Sequence, residues 1–520
     1  MMKEEKLTKT SKVAMLELYD ALEKRLKRHR PRDYITCMSK RLFASWSDPQ
    51  KFVQIPPHRL MHSIEANCAY WKEGYDDPVN WNAVVKIMNT YNDQVDPFQL
   101  STISENLDRF FLMMWRTQIE LQKRASWAYI IRVWYLFVRS PSMQKSNQEF
   151  FTKYKLTMDH WIKFSFLCWA VATRESGNPF LIKDVPNASA GIAHNAFVVF
   201  LEYSARTPSE IGSHFLQMRK EFPYELHSLI RSAFLETPIV KFTDGTMIVP
   251  HTHLLFRHSG EGLYRLSKDL DAFYDEFVVS FEEYVKNVLD AVRDSQKIIS
   301  NKQLEKASRT KGCDFLVEMR DTVVLVECKA CSFTARHFSD NAIRTNNSTG
   351  KVAKALTQVY ASAKDLEDGV FDQFDVDKTK STIGIVVTFG EIPSANKDWY
   401  FDEFFLKRAD RKLAEATYPS KQMTRHPIVL DISTLEKLVA FLNAHTKGLP
   451  ELYDERKEQG YAVTGDWSIW MNSQDEDRDS EASGLLGFLK DDRITFLSEL
   501  GLSPDMFPEG RTEGQSDGLS

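Results

Sequence analysis

The chain has 520 residues, of which 27% are charged and 43% hydrophobic, and its formal net charge is −5. This length predicts two to three domains, and the composition is that of a globular protein. No apolar run reaches the length of a membrane span, six cysteines are too few for a disulfide framework, and the first residues lack the apolar core of a signal peptide. We therefore expect a cytoplasmic protein with no membrane partner.

Residues 1–260 are predicted to form a mostly helical accessory or recognition domain. Apolar residues recur at helical spacing through Leu100–Leu121, Ala125–Val138 and Thr157–Thr173, whereas Thr246–Phe256 is strand-like. Eight of the eleven tryptophans lie in this part, and core packing is their simplest explanation. The part has no glycine-rich phosphate loop, so we expect it to recognise a partner protein or to form a homo-oligomer.

The charges are unevenly distributed along the chain. Residues 475–520 contain twelve acidic and four basic residues, a net charge of −8, so the other residues carry about +3 of the total of −5. The segment Lys24–Arg32 is densely basic and suits phosphate contacts, although a solvated helix end is the alternative. A nucleic-acid partner is therefore compatible with the acidic total.

The end of the chain, residues 451–520, is predicted to be an acidic and partly disordered tail. Asp, Glu, Ser and Gly dominate its composition beyond residue 473. Two apolar patches, Leu485–Leu489 and Ile494–Leu500, interrupt it. We expect these patches to dock as short helices, either on the body of the protein or on a partner.

Helices and strands alternate between residues 265 and 450. The predicted order is a helix over Phe277–Leu289, a strand from Lys297, a β-hairpin over residues 312–329, a helix over Lys351–Leu366, strands at Ile383–Thr388 and Ile428–Ile432, and a helix that starts at Ser433–Glu436. This order predicts an α/β domain that follows the helical one.

The hairpin is the most informative segment of the chain. Two apolar runs, Phe315–Val317 and Val323–Val326, flank a short polar link over Glu318–Thr322. β-Branched residues on both sides of such a link are typical of two antiparallel strands. The start of the first strand should therefore lie beside the end of the second.

Three charged residues occupy that shared end. Asp314 opens the first strand, and Glu327 and Lys329 close the second. Residues two apart on a strand share a face, so Glu327 and Lys329 should point to one side of the sheet and Cys328 to the other. Two carboxylates and one amine are thus predicted to converge.

This convergence favours metal-assisted hydrolysis of a phosphodiester. Two close carboxylates repel unless a cation neutralises them, and Mg²⁺ (or Mn²⁺) binds carboxylate oxygens while keeping several waters. A metal-bound water is acidified, and a neighbouring lysine can orient or deprotonate it. The alternatives are a solvated strand end, and a zinc or iron–sulfur site built from Cys328, Cys331 and Cys313.

Asp314 followed by Glu327-x-Lys329 resembles the core motif of the PD-(D/E)XK nuclease superfamily, which has the restriction-endonuclease-like fold. The proline in the motif's name is replaced here by Cys313. The resemblance covers residues 265–450 and includes the flanking helices. It implies a mixed sheet flanked by helices.

The resemblance also implies which residues form the site. Asp314, Glu327 and Lys329 match the motif, Glu282 matches an extra carboxylate that family members often carry on the preceding helix, and Gln358 matches a glutamine on the following helix. Asp314, Glu327 and Glu282 would bind the metal. Separately, Lys351 and Lys354 flank the predicted site on that helix, where contact with DNA is geometrically reasonable.

The implied function is that of a Mg²⁺- or Mn²⁺-dependent DNA endonuclease. Because this superfamily is prominent in restriction, the resemblance further implies prokaryotic defence against phage DNA. Two alternatives stay open. One is a catalytically silent scaffold that binds nucleic acid or protein, and the other is a nuclease that acts on RNA or single strands within a larger complex.

Overall fold

The structure is a computed structural model that describes residues 9–46, 57–90, 127–185, 194–221, 232–307, 312–332, 346–392, 395–396, 405, 423, 425–459, 467–474 and 486–503. The helix predicted over Leu100–Leu121 lies outside these residues. The described residues form a mostly helical region, which includes a small mixed sheet, and an α/β region with a second, five-stranded mixed sheet. The prediction of a mostly helical part followed by an α/β part is confirmed at this level.

Helices dominate the described residues before residue 260. They are α1 (Lys9–Leu26), α2 (Pro31–Trp46), α3 (Pro57–Tyr70), α4 (Trp127–Trp134), α5 (Gln144–Tyr154), α6 (Met158–Arg174), α7 (His194–Ser204), α8 (Pro208–Glu221) and α9 (His253–Arg257). Helices α4 and α6 confirm the predictions over Ala125–Val138 and Thr157–Thr173. Helix α6 begins where the Thr157 hydroxyl accepts a hydrogen bond from the backbone N–H of His160 at 3.0 Å, a stabilising N-cap.

A small sheet accompanies these helices. Its strands are β1 (Phe180–Leu181), β2 (Ala205–Arg206), β3 (Ile239–Lys241) and β4 (Thr246–Ile248), in the order β1-β4-β3-β2, with only β2 and β3 parallel. The strand predicted over Thr246–Phe256 is wrong beyond Ile248, because α9 begins at His253. Strands β1, β2 and β3 were not predicted, because two or three residues are too few to show a two-residue period in the sequence.

The second half contains the predicted alternation of elements. They are α10 (Leu263–Ser267), α11 (Phe273–Asp290), β5 (Ser295–Ser300), α12 (Asn301–Ala307), β6 (Phe315–Met319), β7 (Thr322–Lys329), α13 (Asn347–Glu367), β8 (Ser381–Thr388), β9 (Ile428–Asp431) and α14 (Ile432–Ala444). The five strands form one sheet in the order β5-β6-β7-β8-β9. Strands β5 to β7 are antiparallel neighbours, whereas β8 and β9 continue the sheet in parallel.

Central strand β7 is buried on both faces. Val324 and Val326 belong to a large core that also contains the apolar side of α11, whereas Val323 and Leu325 belong to a second core that contains the apolar side of α13. Side chains alternate between the faces of a strand, so helices on both sides require an uninterrupted apolar run. The sheet is therefore sandwiched between α11 and α13.

The large core crosses the predicted domain boundary near residue 260. It contains Trp134 and Trp161 from before that boundary, Phe281 from after it, and Phe496 from the predicted tail. Helices from the first half thus help to cover one face of the five-stranded sheet. The division of the chain into domains stays a prediction.

The predicted tail contains ordered helices. They are α15 (Leu449–Glu458), α16 (Trp467–Gln474) and α17 (Lys490–Glu499), while residues 460–466, 475–485 and 504–520 lie outside the described residues. Phe496 packs against Trp134 with ring centroids 5.5 Å apart, and Glu499 Oε2 lies 2.7 Å from Lys163 Nζ. Of the two alternatives for the apolar patches, docking on the body of the protein is the one observed.

A buried ion pair joins three helices that are distant in sequence. Arg132 on α4 donates through Nε and Nη2 to the two carboxylate oxygens of Glu436 on α14, at 2.6 and 2.5 Å. The Tyr284 hydroxyl on α11 donates to Glu436 Oε1 at 2.5 Å. Both charged side chains are only 4% exposed. The pair therefore connects the helical region to the α/β region.

Glu65 on α3 is a buried acid in the helical region. Its Oε1 accepts hydrogen bonds from the Ser232 hydroxyl at 2.6 Å and from the Ala233 N–H at 2.7 Å. Burial raises the pKa of Glu65 from 4.5 to about 7, although these hydrogen bonds and the charge of Arg206 oppose the rise. The folded protein therefore binds a proton at Glu65 more tightly than the unfolded chain does.

We expect the free energy of unfolding to fall as the pH rises from 4.5 towards about 7, because over this range the unfolded chain releases the Glu65 proton while the folded protein still holds it. Glu65→Gln resembles the protonated acid and should remove this dependence. The free energy of unfolding of the variant, relative to that of wild type, should therefore rise by roughly 2 kcal/mol between about pH 5 and about pH 8. Urea unfolding at both pH values measures the gain, and the same pH dependence in both proteins would contradict the prediction.

Candidate active site

The β6–β7 hairpin brings the predicted charged residues to one end of the five-stranded sheet. The two strands pair with Phe315 opposite Val326. Asp314 immediately precedes β6, and Lys329 is the last residue of β7. Because the strands are antiparallel, Asp314, Glu327 and Lys329 lie at the same end.

Asp314 is held against the backbone of β7. Its side chain is buried, and Oδ2 accepts a hydrogen bond from the Cys328 N–H at 2.7 Å. The backbone N–H of Asp314 donates to the Val326 carbonyl at 2.9 Å. These two bonds position the carboxylate beside the last residues of β7.

Lys329 connects the hairpin to α13. Its Nζ forms an ion pair with Glu327 Oε1 and donates a hydrogen bond to Gln358 Oε1 at 3.0 Å. Gln358 in turn donates from Nε2 to the Gly312 carbonyl at 3.1 Å. Glu327 and Gln358 are 1% and 5% exposed, whereas the Lys329 side chain is 17% exposed. Solvent therefore reaches this network mainly at the lysine.

The ammonium group of Lys329 is stabilised in its charged form. Burial alone would lower the pKa of Lys329, but the charges of Glu327 and Asp314 raise it, and the net change is upward. Burial raises the pKa of the Cys313 thiol, and the charges of Glu327 and Asp314 raise it further. Two carboxylates and one ammonium group thus lie together, and the carboxylate oxygens are ligands of the kind that a divalent cation binds.

Sequence reasoning missed the contribution of Ser362, which lies one helical turn after Gln358. Its Oγ accepts a hydrogen bond from the Cys313 N–H at 2.8 Å. A Cβ atom on Gly312 would lie only 2.7 Å from this Oγ, so glycine lets α13 approach the hairpin closely. A serine on the inner face of a helix gives no sequence signal of such a role.

Glu282 is partly buried on α11, which covers the sheet face opposite to α13. Its charge reaches Cys328, whose pKa is raised by burial and by the charges of Asp314, Glu327 and Glu282. Across the described ranges, no group of three or more His, Cys, Asp or Glu residues is arranged to hold a metal ion. A role of Glu282 as a third metal ligand stays a prediction.

The remaining donor set fits a hard divalent cation better than zinc. Asp314 and Glu327 supply the buried carboxylate oxygens that Mg²⁺ or Mn²⁺ uses together with waters and phosphate oxygens. Cys313 lies in the second core and Cys328 in the large core, on opposite faces of the sheet. Cys313, Cys328 and Cys331 are buried free thiols. Their arrangement gives no support to the zinc alternative.

The predicted nucleic-acid contacts lie at the start of α13. Lys354 is exposed, and Lys351 is half-buried with its Nζ 2.9 Å from the hydroxyl of Tyr274. Both lysines belong to the first turns of the helix that also carries Gln358. Positive charge is therefore present beside the candidate site.

Three of the six lysines and arginines in the basic segment Lys24–Arg32 form surface ion pairs. Arg28 and Arg30 form ion pairs with Asp77 and Asp76 at 3.0 and 3.4 Å. Arg32 pairs with Asp244. Phosphate contact through this segment stays a prediction.

No protein-family model matches the chain, and comparisons with curated proteins and with solved structures yield no significant match. Among the residues that the structure describes, no helix is long and apolar enough to cross a bilayer. A function must therefore be inferred from the chemistry of the site.

Proposed function

We propose that the chain is a metal-dependent nuclease that hydrolyses phosphodiester bonds in DNA. The observation that carries the proposal is the Lys329 ammonium group, held between Glu327 and Gln358 beside the buried carboxylate of Asp314. The two buried carboxylates beside this lysine supply oxygen ligands of the kind that a divalent cation binds in proteins.

Mg²⁺ or Mn²⁺ is the proposed cation, with Asp314 and Glu327 as its protein ligands. When bound, such an ion lowers the pKa of a coordinated water and offsets the charge of the phosphate. Glu282 as a third ligand stays a prediction.

The side chains of this chain supply orientation and charge. Lys329 would donate a hydrogen bond to the attacking water or to a phosphate oxygen, which stabilises the negative charge that develops during attack. Gln358 would orient Lys329, since it is anchored on the Gly312 carbonyl. The low exposure of Glu327 and Gln358 keeps bulk water away and strengthens these interactions.

We expect the purified chain to cleave DNA with Mg²⁺ or Mn²⁺ and to be inactive in excess EDTA. Asp314→Asn should reduce the cleavage rate on the order of 10³-fold, because an amide is a poor ligand for a hard cation. It should also weaken Mn²⁺ binding, measured by calorimetry. The amide oxygen can still accept the Cys328 N–H, so we expect the variant to fold.

The assay compares plasmid, linear duplex, single-stranded DNA and RNA on gels. Asp368→Asn is a matched control, because Asp368 is an exposed residue at the end of α13 that pairs with Lys364. Cleavage that survives EDTA, or equal activity of Asp314→Asn and wild type, would contradict the proposal. Failure to cleave any substrate would favour the silent scaffold.

A role in prokaryotic defence against phage DNA stays a prediction, as does a partner protein or homo-oligomer bound through the helical region. The defence role can be tested with the same variant. Phage plating on bacteria that express wild type or Asp314→Asn shows whether protection depends on the site.

A further inference from the structure

Tyr274 is an exposed aromatic residue near the candidate active site. It lies in the first turn of α11 and is 49% exposed, whereas its neighbour Phe273 is buried. Lys351 Nζ donates a hydrogen bond to the Tyr274 hydroxyl at 2.9 Å and lies 4.2 Å from the ring centroid. A cation thus holds the ring in place while about half of the residue remains in solvent.

Lys268 adds a second positive charge to this surface. Its Nζ lies 4.8 Å from the centroid of the Tyr264 ring, and the Tyr264 hydroxyl donates to the carbonyl of Ala330, just beyond β7. Partial burial and then the charge of Lys351 lower the pKa of Lys268. The two ammonium groups are therefore close enough to repel each other. A bound polyanion would relieve their mutual repulsion.

Two contacts connect this surface to the active site. The Tyr264 ring that Lys268 covers is hydrogen-bonded to the Ala330 carbonyl, directly after Lys329, and Lys351 lies on the same helix as Gln358. Burial raises the pKa of Cys331 to about 11, and the charges of Lys351, Lys329 and Lys268 oppose the rise. The three lysines therefore act on one region after β7.

We infer that Tyr274, Lys351 and Lys268 bind single-stranded nucleic acid next to the active site. The lysines would contact successive phosphates, and the exposed part of the Tyr274 ring would stack on an unpaired base. A duplex cannot use the ring in this way, because the faces of its bases are already stacked on one another. The inference deepens the proposed function, on which it rests for the position of the cleaved phosphate.

Binding can be tested without cleavage, by fluorescence anisotropy in EDTA. The probes are labelled oligothymidylate and oligouridylate, an abasic strand and a duplex, all of one length. We expect the single strands to bind more tightly than the abasic strand and the duplex. Tyr274→Ala should weaken their binding by roughly 5- to 100-fold, the range for one lost stacked base, and Tyr274→Phe should keep most of the affinity.

The salt dependence of the affinity tests the role of the lysines separately. Lys351→Ala should lower the slope of log affinity against log salt concentration by about 0.7, since one phosphate contact is lost from a single strand. Lys364→Ala is the matched control, because Lys364 lies further along α13, is 70% exposed and pairs with Asp368. It should leave the slope unchanged.

The two proposals can fail independently. Unchanged affinity in Tyr274→Ala, or equal affinity of wild type for normal and abasic strands, would overturn the binding surface even if the chain cleaves DNA. Tighter binding of the duplex than of the single strands would overturn it as well. Absence of cleavage together with the Tyr274 effect would overturn only the proposed nuclease function.

Discussion

Lys329→Ala should reduce DNA cleavage by roughly 10²- to 10⁴-fold, because it removes the ammonium group that faces the reacting phosphate or water. Binding of Mn²⁺ should persist, since Asp314 and Glu327 are unchanged and Glu327 is released from its ion pair. Single-turnover rates at a fixed metal concentration and calorimetric titration with Mn²⁺ measure the two effects. Unchanged cleavage in the variant would contradict the assigned role.

The same substitution leaves Glu327 buried without Lys329, so a loss of folding must be distinguished from a loss of chemistry. Urea unfolding in the presence of Mn²⁺ provides this control. Gln358→Ala offers a second one, because Gln358 contacts Lys329 and not the proposed substrate. It should lower kcat with little change in KM while the folded fraction, measured by urea unfolding, stays that of wild type, whereas a merely destabilised protein would lose kcat in proportion to its folded fraction.

Glu436→Leu should lower the free energy of unfolding by about 3–5 kcal/mol, because it leaves Arg132 charged and unpaired inside the protein. It also removes the acceptor of the Tyr284 hydroxyl, which adds to the loss. Combining it with Arg132→Met should recover most of the stability, since both buried charges are then gone. Urea unfolding of the single and double variants measures both effects.

The exposed pair of Lys286 and Asp290 on α11 is the matched control for this prediction. Their side chains are 48% and 45% exposed at a separation of 2.6 Å, so Asp290→Leu should cost less than about 1 kcal/mol. A similarly small cost for Glu436→Leu would contradict a stabilising role of the buried pair. A double variant as unstable as the single one would show that packing, not charge, dominates.

Local sequence patterns were sufficient for much of the α/β region. The apolar runs of β6 and β7 are separated by a short polar link, so their pairing depends on neighbours in the chain. The register then brings Asp314, Glu327 and Lys329 together without information from distant residues. The helical spacing of α11 and α13 was equally clear.

Distant contacts were less predictable. Gln358 reaches Lys329 only because α13 packs on the face of the sheet to which Lys329 points. Glu282 has a similar sequence signal, yet it lies on α11, which covers the other face, and its place in the site stays a prediction. Periodicity reveals that a helix has an apolar side but not which face of the sheet that side covers.

The sequence by itself determined the hairpin and its three charged residues, because two-residue periodicity and a short link are local properties. Only the tertiary structure decided which further residues join them. It placed Gln358 and Ser362 beside the hairpin, and it set Tyr274 next to Lys351 across two helices. Those contacts depend on how α11 and α13 pack on the sheet, which is a property of the whole core.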